Sequence, residues 1–125
     1  MAVEEEGETR RRGGGRVGVD LPAVLGGRSP RDARIVDLSA FGCLLRSEAS
    51  LSRGAVVNLR VEMPYGLLQA KARVAQASID GESLPAVRRR YLIGLEFIDL
   101  PAVDEVQLRS FLDAERRRGA HTAPA

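Results

Sequence analysis

The chain has 125 residues, 44% of them hydrophobic and only 4% aromatic with no Trp, which allows a single domain with an aliphatic core. Its net charge of +2 argues against a general nucleic-acid binder. It has no apolar run near the roughly 18 residues of a membrane span and no signal-like N-terminus, so we expect a cytoplasmic protein without membrane insertion.

Two segments of opposite charge come first. Residues 1–9 contain four Glu and little that could be buried, which predicts a disordered acidic tail. Residues 10–16 hold four Arg and three Gly and are predicted to form a flexible basic arm. Fixing each residue costs about 1 kcal/mol, so we expect the arm to be disordered until it closes over a ligand.

The chain then shows the alternation of β-strands. Residues 20–25 predict a short strand that Pro22 restricts to a sheet edge or a strand start. Segments 33–38 and 42–47 predict two more strands around a turn at 39–42. Alternation is clearest in the next two strands, whose inner faces are predicted from their apolar residues: Val57, Leu59, Val61 and Met63, then Leu68, Ala70, Ala72 and Val74.

The C-terminal third predicts a sixth strand and a helix. A polar loop from Asp80 through the Arg88–Arg90 run leads into a strand with Tyr91, Ile93, Leu95 and Phe97 on its inner face. Six strands with no helix between them indicate an antiparallel barrel. Pro101 suits a first helical position, and a helix is predicted over 102–117. Its stripe of Leu108, Phe111 and Leu112 is predicted to dock on the barrel, followed by a disordered tail at 119–125.

Two short motifs carry the candidate site. Arg12 and Arg16 form Arg-x-x-x-Arg in the arm, and their planar forks suit phosphates and guanine edges. Asp37, Ser39 and Gly42 form Asp-x-Ser-x-x-Gly at a strand–turn–strand junction. The carboxylate can accept from guanine or hold an Arg, the hydroxyl can bond ligand or turn backbone, and the Gly fits unusual dihedrals or close ligand approach. By itself the second motif is equally good hairpin chemistry.

In this order and context, the two motifs resemble those of the PilZ domain family. The stretch from Arg16 to Pro22 is similar to the start of the family's first strand, and Tyr91–Ile98 is similar to its last strand. The resemblance covers roughly residues 10–117. It implies an all-β domain over 10–118, namely a six-stranded antiparallel PilZ-type β-barrel at 20–99 with a C-terminal α-helix.

The resemblance also implies a function. The chain is expected to be a cyclic di-GMP receptor or adaptor and not an enzyme, with an unidentified downstream protein that reads the closed arm. No cofactor and no metal are expected, because no nucleophile–base pair, metal-ligand cluster or P-loop is recognisable. The residues expected to bind the dinucleotide are Arg12, Arg16, Asp37, Ser39 and Gly42, with Arg11 as an auxiliary candidate.

Two alternatives stay open at this point. A PilZ-like protein without nucleotide binding would act through protein–protein contacts, for example in motility, although all five motif residues are present. A small barrel could instead bind nucleic acid through the arm, but stacking on bases needs exposed aromatic residues. The aromatic residues here are predicted to lie in turns or the core: Phe41, Tyr65, Tyr91, Phe97 and Phe111. Cys43 is predicted to be a small buried strand residue.

Overall fold

Alternating apolar residues build the strands of a barrel, which the computed structural model describes within residues 15–79 and 90–122, with side chains described through residue 118. The strands are β1 (Val17–Leu25), β2 (Arg31–Leu38), β3 (Gly42–Ser47), β4 (Val56–Met63), β5 (Gly66–Ile79) and β6 (Tyr91–Asp99). They close antiparallel in the order β1-β2-β3-β6-β5-β4, and a helix, α1, follows at Ala102–Thr122. The predicted six-stranded barrel with a C-terminal helix is confirmed.

Aliphatic side chains from every strand fill the barrel interior. The alternating residues of β5 from Leu68 to Val74 are buried, and Leu59, Val61 and Met63 form the buried face of β4. Each fully buried aliphatic side chain contributes about 1.5–3 kcal/mol, so the period-two pattern supplies most of the driving force for closure. Val57 and two inward residues of β6, Tyr91 and Phe97, are partly buried and pack against this core.

β2 begins at Arg31 rather than at residue 33, and larger differences from the predicted extents occur in β1 and β5. β1 begins at Val17, and Pro22 lies in its middle rather than at a strand start or on an edge strand. The strand tolerates Pro22 there because β1 pairs with β4 only from Ala23 to Leu25, so Pro22 lies just before that ladder. β5 continues to Ile79 although residues 75–79 are exposed on both faces, which is why alternation ends at Val74.

The helix α1 packs on the barrel through the predicted stripe. Leu108 and Leu112 are buried and Phe111 is partly buried, while the Phe111 ring meets Tyr65 edge to face at a centroid distance of 6.5 Å. Burial, and secondarily the charge of Asp104, raises the pKa of Tyr65. Among the described residues, no helix is long and apolar enough to cross a membrane.

The helix α1 begins at Ala102, as predicted, but ends later than predicted. Pro101 precedes the helix, and its carbonyl accepts the first-turn hydrogen bond from the Glu105 N–H at 2.9 Å. At the other end the helix passes residue 117 and reaches Thr122. A glycine that ends a helix does so by adopting a left-handed backbone, whereas the backbone at Gly119 remains helical.

Candidate functional site: a groove beside the β2–β3 turn

A groove of about 450 Å³ lies beside the turn between β2 and β3. Four of the five residues predicted to bind the ligand line it: Arg16, Asp37, Ser39 and Gly42. The fifth, Arg12, and the auxiliary candidate Arg11 lie outside the described residues. The fold therefore brings the second motif together with the one arginine of the first motif that the structure describes.

Arg16 and Asp37 form an ion pair at the groove, with 2.9 Å between Nη2 and Oδ2. The strand register places them together, because Val17 pairs with Leu38 and Gly18 with Asp37. The two side chains are 44% and 25% exposed, so the pair contributes no more than about 1 kcal/mol to folding. Its larger effect is to orient the guanidinium, one of the two roles considered for Asp37.

Ser39 is buried, and its hydroxyl is directed into its own turn. Its Oγ accepts from the N–H groups of Phe41 at 3.1 Å and Gly42 at 3.2 Å. The hydroxyl also lies within donating distance, 3.3 Å, of the Gly42 carbonyl, and the Ser39 N–H donates to the same carbonyl at 2.9 Å. Two roles were considered for Ser39, bonding the ligand and bonding the turn backbone, and these contacts are of the second kind.

Replacing Ser39 by Ala is expected to destabilise the fold by about 1–3 kcal/mol, because two backbone N–H groups lose their acceptor in a buried turn. The midpoint and slope of urea unfolding would measure the change. Ser29, which is exposed in the turn between β1 and β2, provides the matched Ser→Ala control and should change little. If both variants unfold at the wild-type midpoint, the hydroxyl does not hold the turn.

Gly42 is required by a close backbone approach. It pairs with Glu96 in the β3–β6 ladder, and a Cβ at this position would overlap the carbonyl oxygen of Leu95. The expectation of unusual dihedrals was wrong, because positive φ angles in the described residues occur at three other glycines, Gly27, Gly54 and Gly66. The absent side chain lets the turn lie directly against β6, where the Phe97 N–H donates to the Phe41 carbonyl at 2.8 Å.

The motif geometry agrees with a family-level match. Residues 10–114 match the family model for the PilZ domain. The chain belongs to the PilZ domain family. Among curated proteins no significant match is found.

Solved PilZ structures have the same fold. The PilZ domain with c-di-GMP of YcgR from Escherichia coli is 18% identical with a TM-score of 0.70, covering 90% of this chain and 97% of that one. The Bacillus subtilis inhibitor of motility, MotI/DgrA, is 20% identical with a TM-score of 0.73, covering 91% and 54%. The MrkH–c-di-GMP complex of K. pneumonia is 19% identical with a TM-score of 0.70, covering 87% and 52%. The chain therefore spans almost all of the isolated YcgR domain and about half of the two longer proteins.

Cys43 follows the PilZ motif directly and is buried, as predicted. Burial, and secondarily the charge of Asp37, raises the pKa of its thiol to about 12. The thiol is therefore neutral and unreactive near pH 7, because only the thiolate is a nucleophile or metal ligand. No group of three or more His, Cys, Asp or Glu within the described ranges is arranged to hold a metal ion.

Three further residues that line the groove were not predicted as site residues from the sequence. Phe41 lies in the β2–β3 turn, one of the two places expected for it, but its side chain is 45% exposed and lines the groove. Gln76 of β5 and Glu96 of β6 also line it, and Gln76 lies over Gly94, where a Cβ would come within 3.1 Å of the Gln76 Cγ. One sequence feature could have indicated Gln76: apolar alternation stops after Val74, as expected where a strand is exposed on both faces.

Proposed function

We propose that this PilZ domain is a cyclic di-GMP receptor that binds the dinucleotide in the groove beside the β2–β3 turn. The observation that carries the proposal is the Arg16–Asp37 ion pair, which holds a guanidinium at a groove of about 450 Å³. Two of the similar PilZ structures, those of YcgR and MrkH, are complexes with c-di-GMP. They support the same ligand class for this chain.

The chemistry of the pair suits both halves of such a ligand. Guanine presents O6 and N7 as adjacent acceptors, which an Arg fork meets with two donors, and each phosphate also accepts two bonds from an Arg. A guanidinium has five N–H donors, whereas the ion pair joins only Nη2 of Arg16 to Oδ2 of Asp37. In this proposal Arg16 binds phosphate or guanine, and Asp37 accepts from the N–H groups on the opposite guanine edge.

Arg12 supplies the second fork of the proposed site, with Arg11 as an auxiliary cation. Arg12 lies four residues ahead of Arg16 in the arm, across three Gly. Gly15 and Arg16 already have defined contacts, so we expect the ordering cost on closure to fall on residues 10–14. At about 1 kcal/mol per residue this cost is roughly 5 kcal/mol, so we expect moderate affinity.

Phe41 provides a stacking surface in the same proposal. Its backbone is fixed at both ends, since its N–H donates to Ser39 Oγ and its carbonyl accepts from the Phe97 N–H. Its ring is nevertheless 45% exposed at the groove. A base stacked on such a ring contributes about 1–3 kcal/mol, and a fixed backbone lowers the cost of positioning it.

The proposed output is an adaptor function. Closure of the arm over the dinucleotide covers the groove and creates a surface that includes ligand and arm, which a downstream protein in the cytoplasm reads. The ligand is bound and released unchanged, so the domain acts as a receptor rather than an enzyme. MotI/DgrA is by name an inhibitor of motility, which supports motility as one setting for such a partner.

Isothermal calorimetry of the full chain with cyclic di-GMP tests the proposal, with GMP as the ligand control. We expect saturable binding of the dinucleotide, no comparable binding of GMP, and a fitted stoichiometry that distinguishes one ligand from an intercalated pair. If the dinucleotide does not bind with a Kd on the order of tens of micromolar or tighter, which corresponds to about −6 kcal/mol, the protein–protein alternative is favoured. Tight, salt-sensitive binding to random oligonucleotides would instead favour the nucleic-acid alternative.

A further inference from the structure

We propose that Arg116 in α1 is a positioning residue that fixes the start of the arm, so that Arg16 faces Asp37 before the ligand arrives. The inference rests on the proposed function, because it concerns how the cyclic di-GMP site is preorganised. Arg116 does not line the groove, so its effect on binding must pass through the arm.

The guanidinium of Arg116 joins the helix to the arm across 101 residues of sequence. Its Nη2 donates to the Gly15 carbonyl at 3.3 Å, and its Nη1 pairs with Oδ1 of Asp113 at 3.0 Å. The Gly15 carbonyl and the Arg16 nitrogen belong to one planar peptide unit. Holding that carbonyl therefore restricts the backbone directly ahead of the Arg16 side chain.

Arg116 lies on a part of α1 that is packed against the barrel. It lies one helical turn after Leu112, which is fully buried against the barrel, and residues four apart share a helix face. Position 116 is thus directed toward the barrel, and toward the residues that precede β1. The helix supplies a fixed point from which a long side chain reaches the otherwise glycine-rich arm.

The Nε–H of Arg116 indicates that the side chain is held by protein contacts and not placed freely in solvent. Within the described residues this donor is buried and has no hydrogen-bond acceptor, although the side chain as a whole is 36% exposed. An Arg that interacted only with solvent would turn all its donors to water, because a buried unpaired donor is unfavourable. The contacts to Gly15 and Asp113 are therefore the ones that determine where this guanidinium lies.

Charge alone does not distinguish Arg116 from its neighbour. Arg117 follows it in the same helical turn and is exposed. An Arg→Ala change at either position removes the same charge and a similar helix propensity. Arg117→Ala is therefore a matched control, and a difference between the two variants reports the contact to Gly15.

Binding of cyclic di-GMP by calorimetry provides the first measurement. Arg116→Ala should weaken binding about tenfold, because the last two residues of the arm must then be ordered by the ligand as well. Arg117→Ala should bind within about twofold of wild type, since an exposed surface residue far from the ligand contributes little. Arg116→Lys should weaken binding almost as much as Arg116→Ala, because an ammonium lacks the separate nitrogens with which a guanidinium reaches two acceptors.

Amide hydrogen exchange without ligand provides a second measurement that does not depend on the ligand's identity. In Arg116→Ala the backbone amides of Arg16 and Val17 should exchange faster, while those of the β4–β5 hairpin should be unchanged. Arg117→Ala should match wild type at both places. A merely structural role for Arg116 would raise exchange throughout the barrel, and that result would overturn the inference.

The outcomes separate the inference from the function on which it rests. If the wild type does not bind cyclic di-GMP, the proposed function fails. The positioning role is then tested only by amide hydrogen exchange at Arg16 and Val17. If the wild type binds and Arg116→Ala binds equally well, the positioning role fails while the proposed function stands. Wild-type affinity in Arg116→Lys would also overturn it, because charge would then be sufficient.

Discussion

Replacing Arg16 by Ala should weaken cyclic di-GMP binding by about 100-fold, equivalent to nearly 3 kcal/mol, because the ligand loses charge-assisted bonds from a preoriented fork. Folding should be little affected, since the Arg16–Asp37 pair is partly exposed and contributes no more than about 1 kcal/mol. Calorimetry measures the affinity, and thermal unfolding confirms that the variant is folded. A loss of binding without a loss of fold would identify Arg16 as a ligand-binding residue.

Three variants control that experiment. Asp37→Asn keeps the size of the side chain but removes its charge, and should weaken binding about tenfold. Arg16→Lys should bind the dinucleotide almost as weakly as Arg16→Ala, because an ammonium cannot make the bidentate contact. Arg28→Ala removes an exposed Arg from the turn between β1 and β2 and should bind like wild type. If both Arg16→Ala and Asp37→Asn retain full affinity, the site has been assigned to the wrong groove even where the ligand is right.

Among the glycines that the structure describes, Gly42 should be the one least tolerant of alanine, and Gly42→Ala should cost about 3 kcal/mol. Its Cβ would overlap the Leu95 carbonyl oxygen and approach the Glu96 Cα to 3.2 Å. Both neighbours are backbone, so no side chain can rotate away and the β3–β6 ladder itself must separate. The melting temperature should fall by about 10–20 °C for a domain of this size.

Gly18→Ala is the matched control for that effect. Gly18 also lies in a strand and pairs with the motif residue Asp37, but a Cβ added to it would have no other atom within 4 Å. Alanine there should leave stability unchanged or raise it slightly, because it reduces the freedom of the unfolded chain. Equal melting temperatures for the two variants would show that β3 and β6 separate without cost, and that Gly42 serves the ligand instead.

The barrel was largely predictable because most of its strands are buried on one face only. The alternation in β4 and in the first half of β5 reports that burial directly. Alternation is uninformative where a strand is exposed on both faces or where pairing is local. The end of β5 is exposed on both faces, and Pro22 is tolerated by a local feature of pairing that no propensity encodes.

The candidate site was predictable only where its residues are close together in sequence. Asp37, Ser39 and Gly42 lie at one strand–turn–strand junction, so their proximity follows from the motif. The contacts of two site residues depend on tertiary structure: those of Gly42 on the approach of β6, and those of Arg16 on the register of β1 with β2. The contact of Arg116 with Gly15 depends on how α1 docks, which a linear pattern does not contain.

Closure of the barrel limits how a downstream protein can recognise this domain. A partner often docks by strand addition, in which it donates a β-strand to the open side of a sheet. Each of the described strands instead has a hydrogen-bonded neighbour on both sides in the closed order, so this mode is offered only where a strand extends past its ladder, as β1 does before Ala23 and β5 does after Arg73. Along the rest of the barrel wall, recognition must depend on side chains, on α1 or on the ligand itself, which makes the complex sensitive to surface substitutions there.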